Sequence, residues 1–498
     1  MREGRPNEHL TGSSAARPAR RAGRRGRSAA VAVWLLLAGG ASAAFAPAPE
    51  GALTLSAAER GAIVQALAAD PDFEDGPPAA MSDPVLWSSL LRHATLELGQ
   101  RMRPTEIDPL WALAPAPRPV AADAQAARDA GRLGPWILGL GPSDPRYRAL
   151  QGARRRYREI VEAGGWAATP AAAAGHAPPA SALSALRARL AAEGYLPAGE
   201  ARPGVPERPL KPALAEFQAH HALTPDGVVG AQTLAALNVT AEARLAQIDA
   251  NLERWRWLPR LPRTRVEVDV GGPAATLFVE DAPRLAMRVI VGDLSHRTPL
   301  FASRLESVVF NPPWNVPASI AEHELLPRER AQPGYLARND FIRVAGALQQ
   351  RPGPLNALGR LKFDFPSPFG VYLHDTPARA AFGLANRWRS HGCVRLEDPR
   401  GLAAAVLGPQ GWTPAKVDAA IAAGATSRVA LAQPVPLYVA YWTVVGAADG
   451  APLFRPDPYG WDDKLMQALA RRGGGGGGLA AARADSECSA AHAPQPLP

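Results

Sequence analysis

The residues best suited to chemistry lie in two short segments, Tyr372-Leu373-His374-Asp375-Thr376-Pro377 and Ser390-His391-Gly392-Cys393-Val394-Arg395. A free thiol titrates near ~8.5, so at neutral pH it needs a base within reach and a group to orient that base. Two histidines are available. His391 precedes Cys393 by two residues, a spacing that puts both on one face of a strand. His374 closes the apolar run Val371-Tyr372-Leu373, which reads as a strand directing the imidazole across a sheet at Cys393. Gly392 permits a tight backbone beside the nucleophile, and the amides of Gly392 and Cys393 offer donors for the oxyanion of a tetrahedral intermediate. Arg395 offers a bidentate hold on a carboxylate. Two other readings use the same residues. A cysteine between Gly and Val is often a small buried hydrophobe. His374, His391 and Cys393 also make a three-ligand metal set, without a fourth ligand at recognisable spacing.

The elements that must position these residues follow from periodicity. Alternation with period 2 over Arg265–Val270, and more loosely over Thr276–Glu280 and Leu285–Val291, predicts strands, as do Ser307–Phe310 and Ser427–Ala432. A β-rich domain therefore spans 264–463. It is interrupted over 320–357 by a polar, helix-like stretch with Glu322, Glu324, Arg328, Glu329 and Arg330 close together, the kind of insertion that serves as a lid. Upstream the pattern is helical. A helical scaffold is expected over 53–165, an Ala/Pro linker over 166–180, a three-helix module over 181–240 and a connecting helix over 241–263, where Trp255 and Trp257 read as packing anchors. His220 and His221 are expected on a helix surface. The fold class is thus a multidomain α+β chain, and 470–498, with six consecutive glycines, reads as a disordered tail.

With 498 residues and 47% hydrophobic content the chain has material for several cores. Its formal charge of +9 suggests nucleic acid until its distribution is read. Residues 1–43 hold eight of the 55 Lys and Arg and two of the 46 Asp and Glu, leaving a nearly balanced 47 against 44. No nucleic-acid partner is expected. Residues 1–43 instead have the form of a secretory signal: arginines at 20–27, an apolar stretch Ala29–Ala38, and Ala41-Ser42-Ala43 as a cleavage site. An exported, periplasmic protein follows, touching the membrane only through that signal; retention as an anchor is the alternative. Of the two cysteines, Cys488 falls in the tail, so no structural disulfide to Cys393 is expected.

His374, fifteen intervening residues and then Ser390-His391-Gly392-Cys393-Val394-Arg395 resemble the signature of the YkuD-domain L,D-transpeptidases. Asn311-Pro312-Pro313-Trp314-Asn315-Val316-Pro317 is similar to the segment leading into the insertion of the large periplasmic members, and Gly292 with Thr298-Pro299 fits as well. The resemblance implies Cys393 as nucleophile and His374 as general base, with a backbone group of Asp375 orienting the imidazole. It gives Gly392 an oxyanion-hole role and His391 and Ser390 supporting ones; related sequences carry Ser at the place of His391. Tyr372, Arg395, Trp314 and Asn311 resemble substrate-contacting positions. The implied reaction needs no cofactor and no metal. Cys393 attacks the bond before the terminal D-Ala of a tetrapeptide stem, D-Ala leaves, and the side-chain amine of a second stem resolves the thioester into a 3-3 cross-link. Water or a lipoprotein lysine are alternative acceptors.

Phe217-Gln218, Leu223-Thr224-Pro225-Asp226-Gly227-Val228-Val229-Gly230, Thr233-Leu234 and Leu237-Asn238 resemble a peptidoglycan-binding type 1 domain, with Leu214, Phe217, Leu223 and Leu234 as core. The implied partners are peptidoglycan stem peptides, with other cell-wall enzymes admitted beside them. A non-catalytic wall-binding protein is the competing class, and the intact His374 and Cys393 argue against it.

Overall fold

The computed structural model describes residues 53–473, apart from 71, 72, 74, 175–177, 198–209, 448 and 449. The signal-like segment 1–43, Cys488 and the glycine-rich tail from 474 onward lie outside the described residues. The last helix, Trp461–Gly473, runs through positions 470–473, where the tail was expected to start.

The first helices, Ala57–Ala69, Asp83–Glu97, Val120–Asp129 and Leu133–Leu138, share a core built on Ile63, Leu67, Leu86 and Leu90. The first begins with a capping box, in which Ser56 Oγ accepts the Glu59 amide and the Glu59 carboxylate accepts the Ser56 amide. A longer helix, Pro145–Glu162, turns Tyr147, Leu150 and Tyr157 inward onto the helix Ala241–Arg256. The latter is enclosed on nearly every side at its C-terminal end. Its Ile248, Leu252 and Trp255 are apolar core, and its charges are paired: Arg254 with Asp462 at 2.5 Å, Arg256 with Glu97 at 3.1 Å. Trp255 and the following Trp257 are fully buried, as expected of packing anchors. Trp111 packs 5.6 Å from Trp257 and 5.5 Å from Trp461, tying the scaffold to the β-rich domain.

The small helical module consists of Ala180–Ala192, Leu210–His220 and Ala231–Leu237 around Leu186, Leu190, Leu214, Phe217 and Leu237. Its turn is held by Gln218, whose Nε2–H donates to Asp226 Oδ1 at 2.9 Å while its Oε1 accepts the Gly227 amide at 2.7 Å. The Ala/Pro segment before it is packed. Thr169 and Asn238 exchange two hydrogen bonds, and Trp166 Nε1–H donates to Val239 O at 3.0 Å. Arg189, itself buried, stacks 3.7 Å from the Trp166 ring and pairs with the buried Glu193 at 2.5 Å. The Tyr157 hydroxyl of the long scaffold helix donates to the same carboxylate. His221 departs from the surface position expected of it. It is buried between Phe217, at 3.9 Å, and Phe454, at 5.2 Å, and burial holds its pKa down at about 3. The helix has just ended at His220, so the chain direction, not helical periodicity, decides where His221 points.

The β-rich domain opens with β1 (Arg265–Asp269), β2 (Ala274–Val279), β3 (Ala282–Gly292) and β4 (Phe301–Phe310). The insertion contributes β5 (Trp314–Asn315), β6 (Phe341–Val344) and β7 (Ala347–Gln350). The chain returns with β8 (Leu361–Asp364), β9 (Leu373–His374), β10 (Trp388–Ser390), β11 (Val394–Leu396) and the long β12 (Ser427–Ala440). The order β10-β3-β11-β9-β8-β4-β12-β1-β2, with β2 pairing back onto β3, closes the sheet on itself and leaves β10 as its one added strand. A barrel of this kind packs its inward-facing side chains into one core, here Val266, Val289, Leu305, Val308, Phe363, Leu373, Leu396 and Leu437.

The insertion is more structured than its polar text suggests. Helices Ala318–Ile320 and Leu326–Ala331 flank a π-helical turn, Ala321–Leu325, and β5, β7 and β6 form a separate three-stranded sheet. Val316, Ala321, Leu325 and Leu348 make a small core of their own, joined by Trp314, Tyr335 and Phe341. Its neck is closed by Asn356, fully buried, whose amide donates to Pro312 O, Gln350 O and Arg351 O.

The buried pair at the module yields a stability prediction. Glu193→Leu strands the Arg189 charge and should cost about 3–5 kcal/mol, the penalty of an uncompensated buried ion. Adding Arg189→Met should recover part of that loss in denaturant titrations; additive losses would show that the pair does not act as a unit.

Candidate active site

The parallel pairing of β9 with β11 brings the two sequence segments together. Leu373 aligns with Val394 and His374 with Arg395, and the Val394 amide donates to Tyr372 O at 3.1 Å. His374 and Arg395 therefore share a face, and Cys393, two residues before Arg395, joins them at the strand entrance. Tyr372, His374, Ser390, His391, Cys393 and Arg395 line one cleft of about 710 Å³, roofed by the insertion.

His374 is buried, and its Nδ1 lies 2.5 Å from the carbonyl oxygen of Asp375. Only a protonated Nδ1 can donate there, so the neutral ring presents Nε2 as an acceptor. Burial first, then Arg395, with a lesser contribution from Lys362, hold the imidazole pKa down at about 3, against the opposing effect of the Asp375 bond. The Asp375 carboxylate points away. It accepts the Arg360 amide at 2.8 Å and pairs with Arg379 at 2.9 Å, in a space that any side chain at Gly359 would invade.

Cys393 is a free thiol, and burial raises its pKa. Hydrogen bonds from Tyr372 and the charges of Arg395 and Lys362 pull it back in part. The pair at rest is thus thiol and neutral imidazole. No bond joins the two side chains among the described residues, as is common for a site without substrate. The Tyr372 phenol is shared between the Cys393 sulfur and a hydrogen bond with the Trp314 side chain. Trp314, from β5, lines the cleft.

A short hydrogen-bonded loop positions Cys393. Buried Ser390 donates from Oγ to Cys393 O at 2.6 Å and accepts the Gly392 amide at 3.1 Å. Gly392 sits at φ +102°, where a side chain is strained. Its carbonyl accepts Thr298 Oγ1 at 2.8 Å; Thr298 Oγ1 in turn accepts the Gly292 amide at 2.8 Å, and the Tyr459 hydroxyl donates to Gly292 O at 2.5 Å.

Three expectations change here. The Gly392 amide, expected as an oxyanion donor, is taken by Ser390 Oγ, whereas the Cys393 amide makes no hydrogen bond among the described residues. Asn311 is not a substrate contact. It is fully buried at φ +45°, and its amide donates to Ala420 O and Ile421 O at 3.1 Å and Ala425 O at 3.3 Å, closing the end of the helix Pro414–Ala422. His391 turns from the thiol toward the insertion, its Nε2 2.6 Å from Glu324 Oε1 and its ring 4.6 Å from that of His296. His374, His391 and Cys393 form no metal-binding group among the described residues. Thr298 and Tyr459 hold the loop in roles that local sequence does not mark. Thr298-Pro299 offered a weak signal, and Tyr459, far along the chain, none.

Residues 263–426 match the family model of the YkuD "L,D-transpeptidase catalytic domain". This segment is similar to a YkuD domain. Residues 179–237 match a second model, "Putative peptidoglycan binding domain", which coincides with the three-helix module. A curated protein of Haemophilus influenzae named "Putative L,D-transpeptidase" is 33% identical over 205 residues, 37% of this chain and 42% of that protein. The chain thus spans less than half of that relative's length. Among solved structures, the L,D-transpeptidase of Mycobacterium smegmatis is 14% identical over 36% of this chain and 58% of its own, with a TM-score of 0.19. That of Xylanimonas cellulosilytica is 16% identical over 53% of this chain and 95% of its own, with a TM-score of 0.17. Within this YkuD-like segment the cysteine motif lies on the β10–β11 turn and the histidine on β9.

Because burial raises the Cys393 pKa, the thiolate fraction should grow only as pH rises. Alkylation by iodoacetamide should climb steadily from pH 7 with a midpoint above the ~8.5 of a free thiol. Arg395→Met, by removing a stabilising positive charge, should move that midpoint higher still. A rate plateau across neutral pH would indicate a thiolate–imidazolium pair instead.

Proposed function

We propose that this chain is an exported, periplasmic L,D-transpeptidase that makes 3-3 cross-links in peptidoglycan. The observation that carries the reading is the neutral, buried His374, with Nδ1 committed to the Asp375 carbonyl, in one cleft with the free thiol of Cys393. On substrate binding, Nε2 takes the thiol proton as sulfur attacks the carbonyl between the third stem residue and D-Ala. The Cys393 amide meets the oxyanion. The imidazolium then gives its proton to the departing amine of D-Ala, leaving a thioester. A second stem's amine forms a C–N bond to that carbonyl as the C–S bond breaks. Arg395, which has no ion-pair partner among the described residues, suits a stem carboxylate beside the nucleophile.

Two further parts of the reading concern the rest of the chain. The three-helix module holds the enzyme on the wall, with residues 1–43 directing export. The insertion acts as a lid, and this rests on its separate core and narrow neck at Asn356, which let it move as a body while the barrel stays fixed.

Replacing Cys393 with Ala should abolish both adduct formation with a carbapenem in intact-mass spectra and the appearance of 3-3 dimers among muropeptides. An adduct on Cys393→Ala would remove Cys393 as nucleophile. Shortened stems without dimers, made by the unaltered protein, would make it a hydrolase.

The lid is tested by excising 318–355 with a short Gly/Ser bridge. Carbapenem acylation should fall by less than about threefold while dimer formation falls at least tenfold, since closure matters for holding two large substrates. Equal loss of both reactions would mark the insertion as structural support.

A further inference from the structure

Passing an acyl group from a thioester to an amine asks one cleft to recognise opposite charges. A stem-peptide donor is rich in carboxylates. The acceptor arrives as an alkylammonium, because such amines titrate near ~10.4. The charged groups of the cleft divide accordingly. Among its described lining residues it has two guanidiniums, Arg328 and Arg395, and one carboxylate, Glu324.

Glu324 is placed with care. It lies on the π-helical turn Ala321–Leu325, a local widening that re-aims the side chains of an otherwise regular helix. Its Oε1 is 2.6 Å from His391 Nε2, and its other oxygen is 3.9 Å from Arg328, one turn further on. About a third of its side chain remains exposed. The loop that carries Cys393 thus reaches up through His391 to orient a carboxylate hanging from the roof.

We propose that Glu324 is the ammonium-binding residue of the acceptor subsite, with His391 as its positioning residue. This rests on the transpeptidase reading and adds the selection of an amine over water. The ammonium docks on the Glu324 oxygen not held by His391, which puts its nitrogen between lid and thioester. Of the two protons the nitrogen sheds on becoming an amide, one passes to solvent and one to His374 Nε2. The C–N bond forms, the C–S bond breaks, and sulfur leaves as the thiolate. The arrangement also accounts for the direction of His391, which faces the lid and not the nucleophile two residues away.

The test uses the full chain with a disaccharide-tetrapeptide, reading cross-linked against hydrolysed product by mass spectrometry as acceptor concentration rises, and carbapenem acylation in parallel. Glu324→Gln keeps an oxygen for His391, so a mere latch survives it. The acceptor concentration for half-maximal cross-linking should nevertheless rise about tenfold, and product should shift toward hydrolysis, while acylation stays within twofold. Glu324→Asp should recover most of the aminolysis. An unchanged product ratio in Glu324→Gln would overturn the proposal, as would a parallel fall in acylation and cross-linking. Failure of the unaltered chain to form any acyl-enzyme would overturn the transpeptidase reading first, and this one with it.

Discussion

The hydrogen bond from His374 Nδ1 to the carbonyl of Asp375 is the constraint around which the site is arranged. A buried imidazole left to rotate could offer either nitrogen; this bond decides the tautomer and leaves Nε2 with a lone pair. The carbonyl belongs to the residue right after the histidine, so the strand end must bend back on itself. The Asp375 side chain enforces that bend, with the Arg360 amide and the Arg379 guanidinium on one carboxylate and the bare backbone of Gly359 against it. A residue that looks like a candidate acid is an anchor for its own peptide group.

Cys393 is held by an equally indirect route. Tyr459, from the C-terminal end of the domain, fixes Gly292; Gly292 and Gly392 are bridged by Thr298; and Ser390 closes the loop around Cys393. Each link is a buried polar contact, expensive to leave unmade, so the loop gains its precision from atoms that never meet a substrate. Two neutral partners result, a thiol raised by burial and an imidazole lowered by it.

Much of this was legible in the amino-acid text because local rules sufficed. Alternation over Arg265–Val270 and Leu285–Val291 placed two barrel strands, the helical module followed from its apolar spacing and the Asp226-Gly227 turn, and the spacing from His374 to Cys393 pointed to the site. The parts that were not legible are those decided by distant neighbours. Asn311 sits in a motif beside the cleft, yet its left-handed backbone points the amide at a helix end more than a hundred residues downstream. The freedom of Gly392's backbone follows from its residue type, but only the fold shows that its amide is already spent on the Ser390 hydroxyl. His221 looked like surface because its aromatic neighbour Phe454 is far away in sequence.

The insertion's separate sheet and small core have a consequence for how such a chain can change over time. The roof meets the barrel at a neck that Asn356 fastens to Pro312, Gln350 and Arg351, and Val316, Leu325 and Leu348 pack against one another in a core separate from the barrel's. Drift in that core can reshape the ceiling of the cleft, widening it for bulkier chains or narrowing it against them, without disturbing the thiol, the imidazole or the strands that carry them. Selectivity and chemistry are thereby written in different stretches of the same polypeptide, and each can be edited by mutation while the other stays legible.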